Sequence, residues 1–277
     1  MKSPDVNDTL RNEGNGGVTG RHDGAKPYKP NGATVPPRSL GEVHEVFKRW
    51  LGNDYDLATL DATLAVTASE RLPGDSAWLL IISGSGNAKT ETVMAVRGAG
   101  AYVVSTISSE GALLSATPRK QKAKGATGGL LRQIGERGIL VIKDVTSILS
   151  ANREIRSQLI AALREIHDGQ RVRDVGRDGG QRLIWEGRIV VIGACTTAWD
   201  QAHSVIANMG DRFVLIRSDS HYGRVTGGLR AIRNTGSEAN MRQEMSDAVA
   251  GLISTVNPKK VYKLSERDET RSTTGAT

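Results

Sequence analysis

The chain has 277 residues, 38% of them apolar and 24% charged, which is room and composition for a full globular core in one or two domains. Its net charge of +7 permits contact with nucleic acid without requiring it, and aromatics at 4% leave few rings for stacking on bases. A single cysteine, Cys195, excludes an intrachain disulfide; no apolar stretch follows Met1-Lys2 and no run reaches membrane-span length, so we expect a cytoplasmic protein with no membrane partner.

In chain order, residues 1–38 are rich in Gly, Asn, Asp, Lys and Pro and read as a disordered arm. Residues 39–75 read as N-terminal helices. Ser39 and Glu42 match a capping box ahead of Val43, Val46, Phe47, Trp50 and Leu51 at helical spacing, and a second helix spans Asp56 to about Glu70. From 76 to 217 strands and helices alternate. Ala77–Ile82, Ala101–Ile107, Ile139–Ile142, Arg188–Ala194 and Phe213–Ile216 are apolar runs suited to strands buried on both faces. Helices are expected at about 89–97, 130–136, 152–167 and 202–209, and a polar loop carries Arg119, Lys120, Lys122 and Lys124. Gln170–Asp174 and Gln181–Trp185 flank a turn-rich stretch and read as a hairpin. Past Ser218 the pattern loosens until a helix at Glu238–Ile253, so 218–277 is expected to be a short helical, lid-like segment with a frayed tail. This order predicts an α/β fold: a three-layer P-loop NTPase with a mainly parallel five-stranded sheet, a hairpin before the fourth sheet strand and a short helical C-terminal part.

The first apolar run leads into Ser83-Gly84-Ser85-Gly86-Asn87-Ala88-Lys89-Thr90 and then a helix. A strand, glycine-rich turn and helix start hold phosphate oxygens on backbone N–H groups. The lysine reaches the terminal phosphates and the following hydroxyl binds magnesium. Lys89 and Thr90 are the candidates for those roles, with ATP and Mg2+ as the expected cofactors. Ser83 and Ala88 stand where G-x-x-x-x-G-K-[ST] has glycine, and a β-carbon at Ala88 is expected to narrow the loop or strain it.

Asp144 ends the third run, 55 residues beyond Lys89, after Lys143. Either Lys143 is an extra strand residue and Asp144 takes the magnesium, or Lys143 replaces the metal acid and Asp144 orients water. The fourth run ends in Gly193-Ala194-Cys195-Thr196-Thr197, where Thr196 or Thr197 would lie between the first and third strands and bond the γ-phosphate or the water. Cys195 itself reads as a small core residue. The five histidines are scattered without metal-ligand spacing, so no transition metal is assigned, and no G-x-S-x-G elbow is present.

These pieces together resemble the AAA+ ATPases over about residues 76–217: SGSGNAKTE as Walker A, GILVIKDVTSIL as Walker B, VVIGACTT as the sensor-1 strand, and MGDRFVLIR. The run from Glu110 to Leu149 is most like bacterial and phage ATP-binding proteins of uncharacterised role in that superfamily. The resemblance implies Arg212 as a finger reaching the ATP of a neighbouring subunit, hence a homo-oligomer, and a DNA or protein substrate to be remodelled. It also implies that a hairpin before the sensor strand touches substrate, with Arg171, Arg173 and Arg177 facing it. Arg242 is the candidate second-sensor arginine. A non-hydrolysing ATP-binding module, or a DNA-binding protein with a vestigial P-loop, are the competing expectations.

Overall fold

The computed structural model describes residues 35–84, 86, 88–116, 128–176, 180–202, 205, 207, 209–218 and 224–260. The arm up to residue 34, the basic loop at 119–124, Ser85, Asn87, Arg177 and the tail from 261 lie outside the described residues.

The strands are β1 (Trp78–Ile82), β2 (Tyr102–Val104), β3 (Arg137–Ile142), β4 (Gln170–Val175), β5 (Gln181–Glu186), β6 (Arg188–Cys195) and β7 (Phe213–Arg217). Five form one sheet in the order β2-β3-β6-β1-β7, and every pairing in it is parallel. β6 thus lies between β1 and β3, as its place in the sequence predicted. β4 and β5 make a separate antiparallel hairpin, with Val172 opposite Ile184.

The helices are α1 (Leu40–Leu51), α2 (Leu57–Ser69), α3 (Lys89–Ala95), α4 (Glu110–Leu113), α5 (Leu130–Ile134), α6 (Thr146–Leu149), α7 (Arg153–His167), α8 (Arg224–Arg233) and α9 (Glu238–Ser254). Starts follow the local chemistry. Ser39 and Glu42 exchange capping-box bonds, and Asp56 and Asn152 accept from Thr59 and Ile155 N–H groups.

Alternate residues of the central strands enter opposite layers, because successive side chains of a strand face opposite ways. Trp78, Leu80, Ile82, Leu140, Ile142 and Val191 pack with Leu159, Leu163 and Ile166 of α7. Leu79, Ile81, Ile139, Val141 and Ile192 pack with Val66 of α2, Val93 of α3 and Val96. The result is a three-layer α/β fold of the P-loop NTPase type. A third cluster joins α1, α2 and α9 through Val43, Phe47, Leu60, Leu64, Met245 and Val249. α9 comes so close to the turn after α3 that a β-carbon on Gly98 would lie 1.8 Å from the Ser246 carbonyl oxygen. No helix among the described residues is long and apolar enough to cross a membrane.

Three elements differ from expectation. β2 ends at Val104 rather than Ile107: the carbonyls of Val104 and Ser105 accept from Lys143 and Asp144, after which Thr106 bonds Ser147 instead. Ile107 is apolar because it is buried in the core, not because it is a strand residue. The helix near 130 stops at Ile134, since Gly135 adopts a positive φ of 89°. The segment that looked loose after Ser218 contains α8, which the sequence hid behind Gly227-Gly228 and few apolar residues. Tertiary bonds to α1 hold this region: Arg230 reaches the Arg49 carbonyl, and the Asn234 amide donates to the Trp50 carbonyl at 2.9 Å.

Candidate functional site

All sheet strands are parallel, so their C-terminal ends gather on one edge of the domain. Ile82, Cys195 and Arg217 are level with one another there, and Ile142 is level with Gly193. The segments leaving that edge carry Ser83–Thr90, Asp144 and Thr196. The fold therefore brings these sequence-predicted residues to one face, the crevice outside the carboxyl ends where α/β sheets bind ligands.

The loop begins by extending the ladder: Ser83 N–H donates to the Cys195 carbonyl at 3.2 Å, and Ser83 is buried. Gly86 has φ 88° and Ala88 φ 52°, ψ 9°. Ala88 is the one non-glycine residue in the left-handed region among the described residues. The strain expected of a β-carbon at this position is therefore present in the backbone, on the order of 1–2 kcal/mol. The Lys89 ammonium folds back over the loop and donates to the Ser83 carbonyl at 2.8 Å and the Gly84 carbonyl at 2.5 Å. Burial lowers its pKa from the ordinary lysine value, an effect that Cys195 offsets only in its ionised form. Thr90 is exposed on the first turn of α3.

Asp144 lies two residues past β3 and is exposed, while Lys143 is half-buried. The Asp144 N–H donates to the Ser105 carbonyl at 2.9 Å and its carbonyl accepts from the Ser147 hydroxyl at 2.8 Å, so the backbone that presents the carboxylate is fixed on both sides. Thr196 caps the turn at Thr197–Gln201, its hydroxyl accepting from Ala198 N–H at 3.4 Å. Sequence reasoning missed Thr146. Its hydroxyl accepts from Thr196 N–H at 3.1 Å and stands 3.3 Å from the Thr196 hydroxyl and 3.6 Å from the Cys195 sulfur. No spacing rule singles out a threonine at a helix start, and only the β3–β6 pairing brings the two together. Burial pushes the Cys195 thiol up, which suits the core role assigned to it.

Arg212 is elsewhere. It precedes β7, whose Phe213 is level with Trp78, so it sits at the N-terminal edge of the sheet. Five residues of strand separate that edge from the loop, roughly 16 Å. There it donates to the Asp168 carboxylate at 3.2 and 3.3 Å and to the Met209 carbonyl at 3.1 Å, which rules out contact with its own chain's phosphate loop. Arg242 forms a bidentate pair with Glu91 of α3, its closest approach 2.7 Å.

The hairpin departs from expectation. Arg171 is 7% exposed and bonds Glu110 and Glu165; Arg173 donates to the Leu114 carbonyl at 2.7 Å. Both face the body of the protein alongside Leu183 and Trp185 on the paired strand. Both are held by these internal bonds rather than standing free of the domain.

Among the described residues no group of three or more His, Cys, Asp or Glu side chains converges. No protein-family model matches the chain, and no curated protein matches it either. Solved structures give loose likenesses. The apo NrS-1 C-terminal region (305–718) is 15% identical with a TM-score of 0.39, over 90% of this chain and 56% of that one. NtrX from Brucella abortus in complex with ADP is 14% identical with a TM-score of 0.41, over 84% of this chain and 61% of that one. The chain thus spans little more than half the length of the solved chains it is like. What defines the class is the architecture itself: a parallel α/β sheet of the P-loop NTPase type, with a lysine-bearing loop at the C-terminal end of a central strand.

Proposed function

We propose that the chain is an ATP-binding P-loop protein of AAA+ character, working as a slow ATPase that remodels a DNA or protein substrate. The observation that carries the reading is the loop between β1 and α3. It leaves a fully buried central strand, turns through Gly86 and a left-handed Ala88, and folds Lys89 over its own carbonyls. Backbone N–H groups at such a helix start suit phosphate oxygens, and Lys89 supplies a nearby positive charge.

The residues present suit the cofactors. Thr90 and Asp144 offer exposed oxygens at the same edge, the hard donors that magnesium takes. Bound there, the ion would neutralise charge on the terminal phosphates. Thr196 would meet the γ-phosphate or the water. Arg212 would serve a neighbouring copy's nucleotide after leaving Asp168, which makes a homo-oligomer part of the proposal. The segment 76–217 is the unit we assign to nucleotide, with 39–75 and 218–277 as helical additions.

A second reading is a module that binds ATP without turning it over. The left-handed Ala88 and a single carboxylate after β3 favour it. Titration of the purified protein with ATP and magnesium, alongside phosphate release, separates the two. Binding with turnover, both lost in Lys89→Ala, supports the ATPase; binding alone supports the module. No binding at millimolar nucleotide, with a salt-dependent DNA shift, would leave only a vestigial loop.

A further inference from the structure

The turn after β3 and the end of β6 are stitched together at one side chain. Val145 N–H donates to the Ala194 carbonyl at 2.9 Å, and Thr196 N–H donates to the Thr146 hydroxyl oxygen at 3.1 Å. That oxygen has a single proton of its own and two neighbours to give it to, the Thr196 hydroxyl at 3.3 Å and the Cys195 sulfur at 3.6 Å. The Thr196 hydroxyl already accepts from Ala198 N–H at 3.4 Å.

A hydroxyl has one proton and two lone pairs, so the choice made by Thr146 decides what Thr196 can do. When Thr146 donates to Thr196, both lone pairs of Thr196 are engaged and its proton must go outward. When Thr146 donates to Cys195, Thr196 spends its proton on Thr146 and has nothing to offer an anion. The first arrangement also has the shorter of the two contacts and the better acceptor, since a thiol sulfur accepts weakly.

We infer that Thr146 is a positioning residue: it makes the Thr196 hydroxyl an outward donor to the terminal phosphate of a bound nucleoside triphosphate. The inference rests on the ATP reading of this site. Thr146 does not itself touch the ligand. A nucleoside diphosphate has no group for Thr196 to meet, so the device discriminates between the two nucleotides.

The test is calorimetric titration of the full chain with magnesium and either a non-hydrolysable ATP analogue or ADP. A hydrogen bond from Thr196 to a charged oxygen is worth about tenfold, so if Thr146 directs that donor, Thr146→Val weakens the analogue by up to about tenfold and changes ADP by less than about twofold. Thr146→Ser, which keeps the hydroxyl, restores the difference. Thr196→Val gives the same loss, and the double variant Thr146→Val/Thr196→Val loses no more than Thr196→Val alone. If thermal melting shows that Thr146→Val does not fold, Thr146→Ala reads the same ratio with no branched methyl to misplace. Equal weakening of both nucleotides, no weakening of either, or additive losses in the double variant would overturn the inference while leaving ATP binding intact. A wild-type chain that binds neither nucleotide would remove the ATP reading and this inference with it.

Discussion

The two ends of the parallel sheet are built from similar polar side chains used in opposite ways. At the N-terminal end, arginines are committed to the protein's own groups. Arg188 donates to the carbonyls of Ser69, Glu70, Leu72 and Asp75, Arg137 reaches Glu70, and Arg212 holds the Asp168 carboxylate. Arg188 and Arg137 satisfy the orphan carbonyls at the C-terminus of α2 and the turn into β1. At the C-terminal end, Thr90 and Asp144 are exposed, Lys89 bonds the Ser83 and Gly84 carbonyls of its own loop, and Ala88 is held in a left-handed conformation. One end is fastened for stability. The other keeps charge and strain in reserve, which is where function is expected when local rules are broken.

Substitutions at the two ends should therefore separate stability from binding. Arg188→Ala removes four hydrogen bonds at once, although Arg137 still reaches the Glu70 and Leu72 carbonyls, and should destabilise the fold by about 3 kcal/mol. Chemical denaturation measures the loss, and nucleotide affinity of the folded fraction should not move. Lys89→Ala should do the reverse. ATP affinity should fall by about a hundredfold, close to 2.7 kcal/mol, with little change in the denaturation midpoint. If Arg188→Ala weakened nucleotide as strongly as Lys89→Ala does, the division between the ends would be wrong.

A gentler change sharpens the same contrast. Ala88→Gly removes a β-carbon from a left-handed position, and should stabilise the folded state by about 1 kcal/mol, less the extra entropy glycine gives the unfolded chain. The melting temperature should rise slightly and phosphate binding tighten as the loop opens. A fall in melting temperature would mean that the strain is not borne at Ala88.

Much of this was legible in the sequence because the signals were local. The runs AWLLII, ILVI and RIVVIGA suited doubly buried strands, and Ser39, Asp56 and Asn152 marked helix starts through their own side chains. What escaped depended on partners distant in the chain. α8 places Val225, Leu229 and Ile232 at helical spacing, but Gly227-Gly228 breaks the run with poor helix formers, and bonds to α1 hold the region. Arg171 and Arg173 looked available for a substrate. The cross-strand pairing with Trp185 and Leu183, both buried, turns them inward to Glu110 and Glu165. The alternation of Leu183 and Trp185 in the second strand held that information. Thr146 carried no signal at all, because its role exists only once β3 and β6 are neighbours.

The smallest expected effects are in pH, and they too divide the ends. Burial pushes the Asp168 carboxyl up, but hydrogen bonds and charge from Arg212 and His167 together outweigh it and hold the carboxyl below the ordinary aspartate value. A depressed carboxylate stabilises the fold above its unfolded pKa, about 3.9, and that contribution is lost as pH falls through the lower folded value. The stability gap between wild type and Asp168→Asn should therefore close in acid. It should be modest throughout, because the pair is solvent-screened. Lys89 shifts the other way in its effect. Burial lowers its pKa, so the folded state binds its proton less readily than the unfolded chain does. Its charge opposes folding below the folded pKa, and the penalty is relieved as pH rises toward the unfolded lysine value of about 10.4. Wild type should gain on Lys89→Met over that alkaline window, while Asp168→Asn tracks wild type through it. Denaturation midpoints at acid, neutral and alkaline pH decide the matter. If Lys89→Met and Asp168→Asn were both to converge on wild type only in acid, the burial of Lys89 over its loop would not be governing its protonation, and the two ends would not be electrostatically distinct.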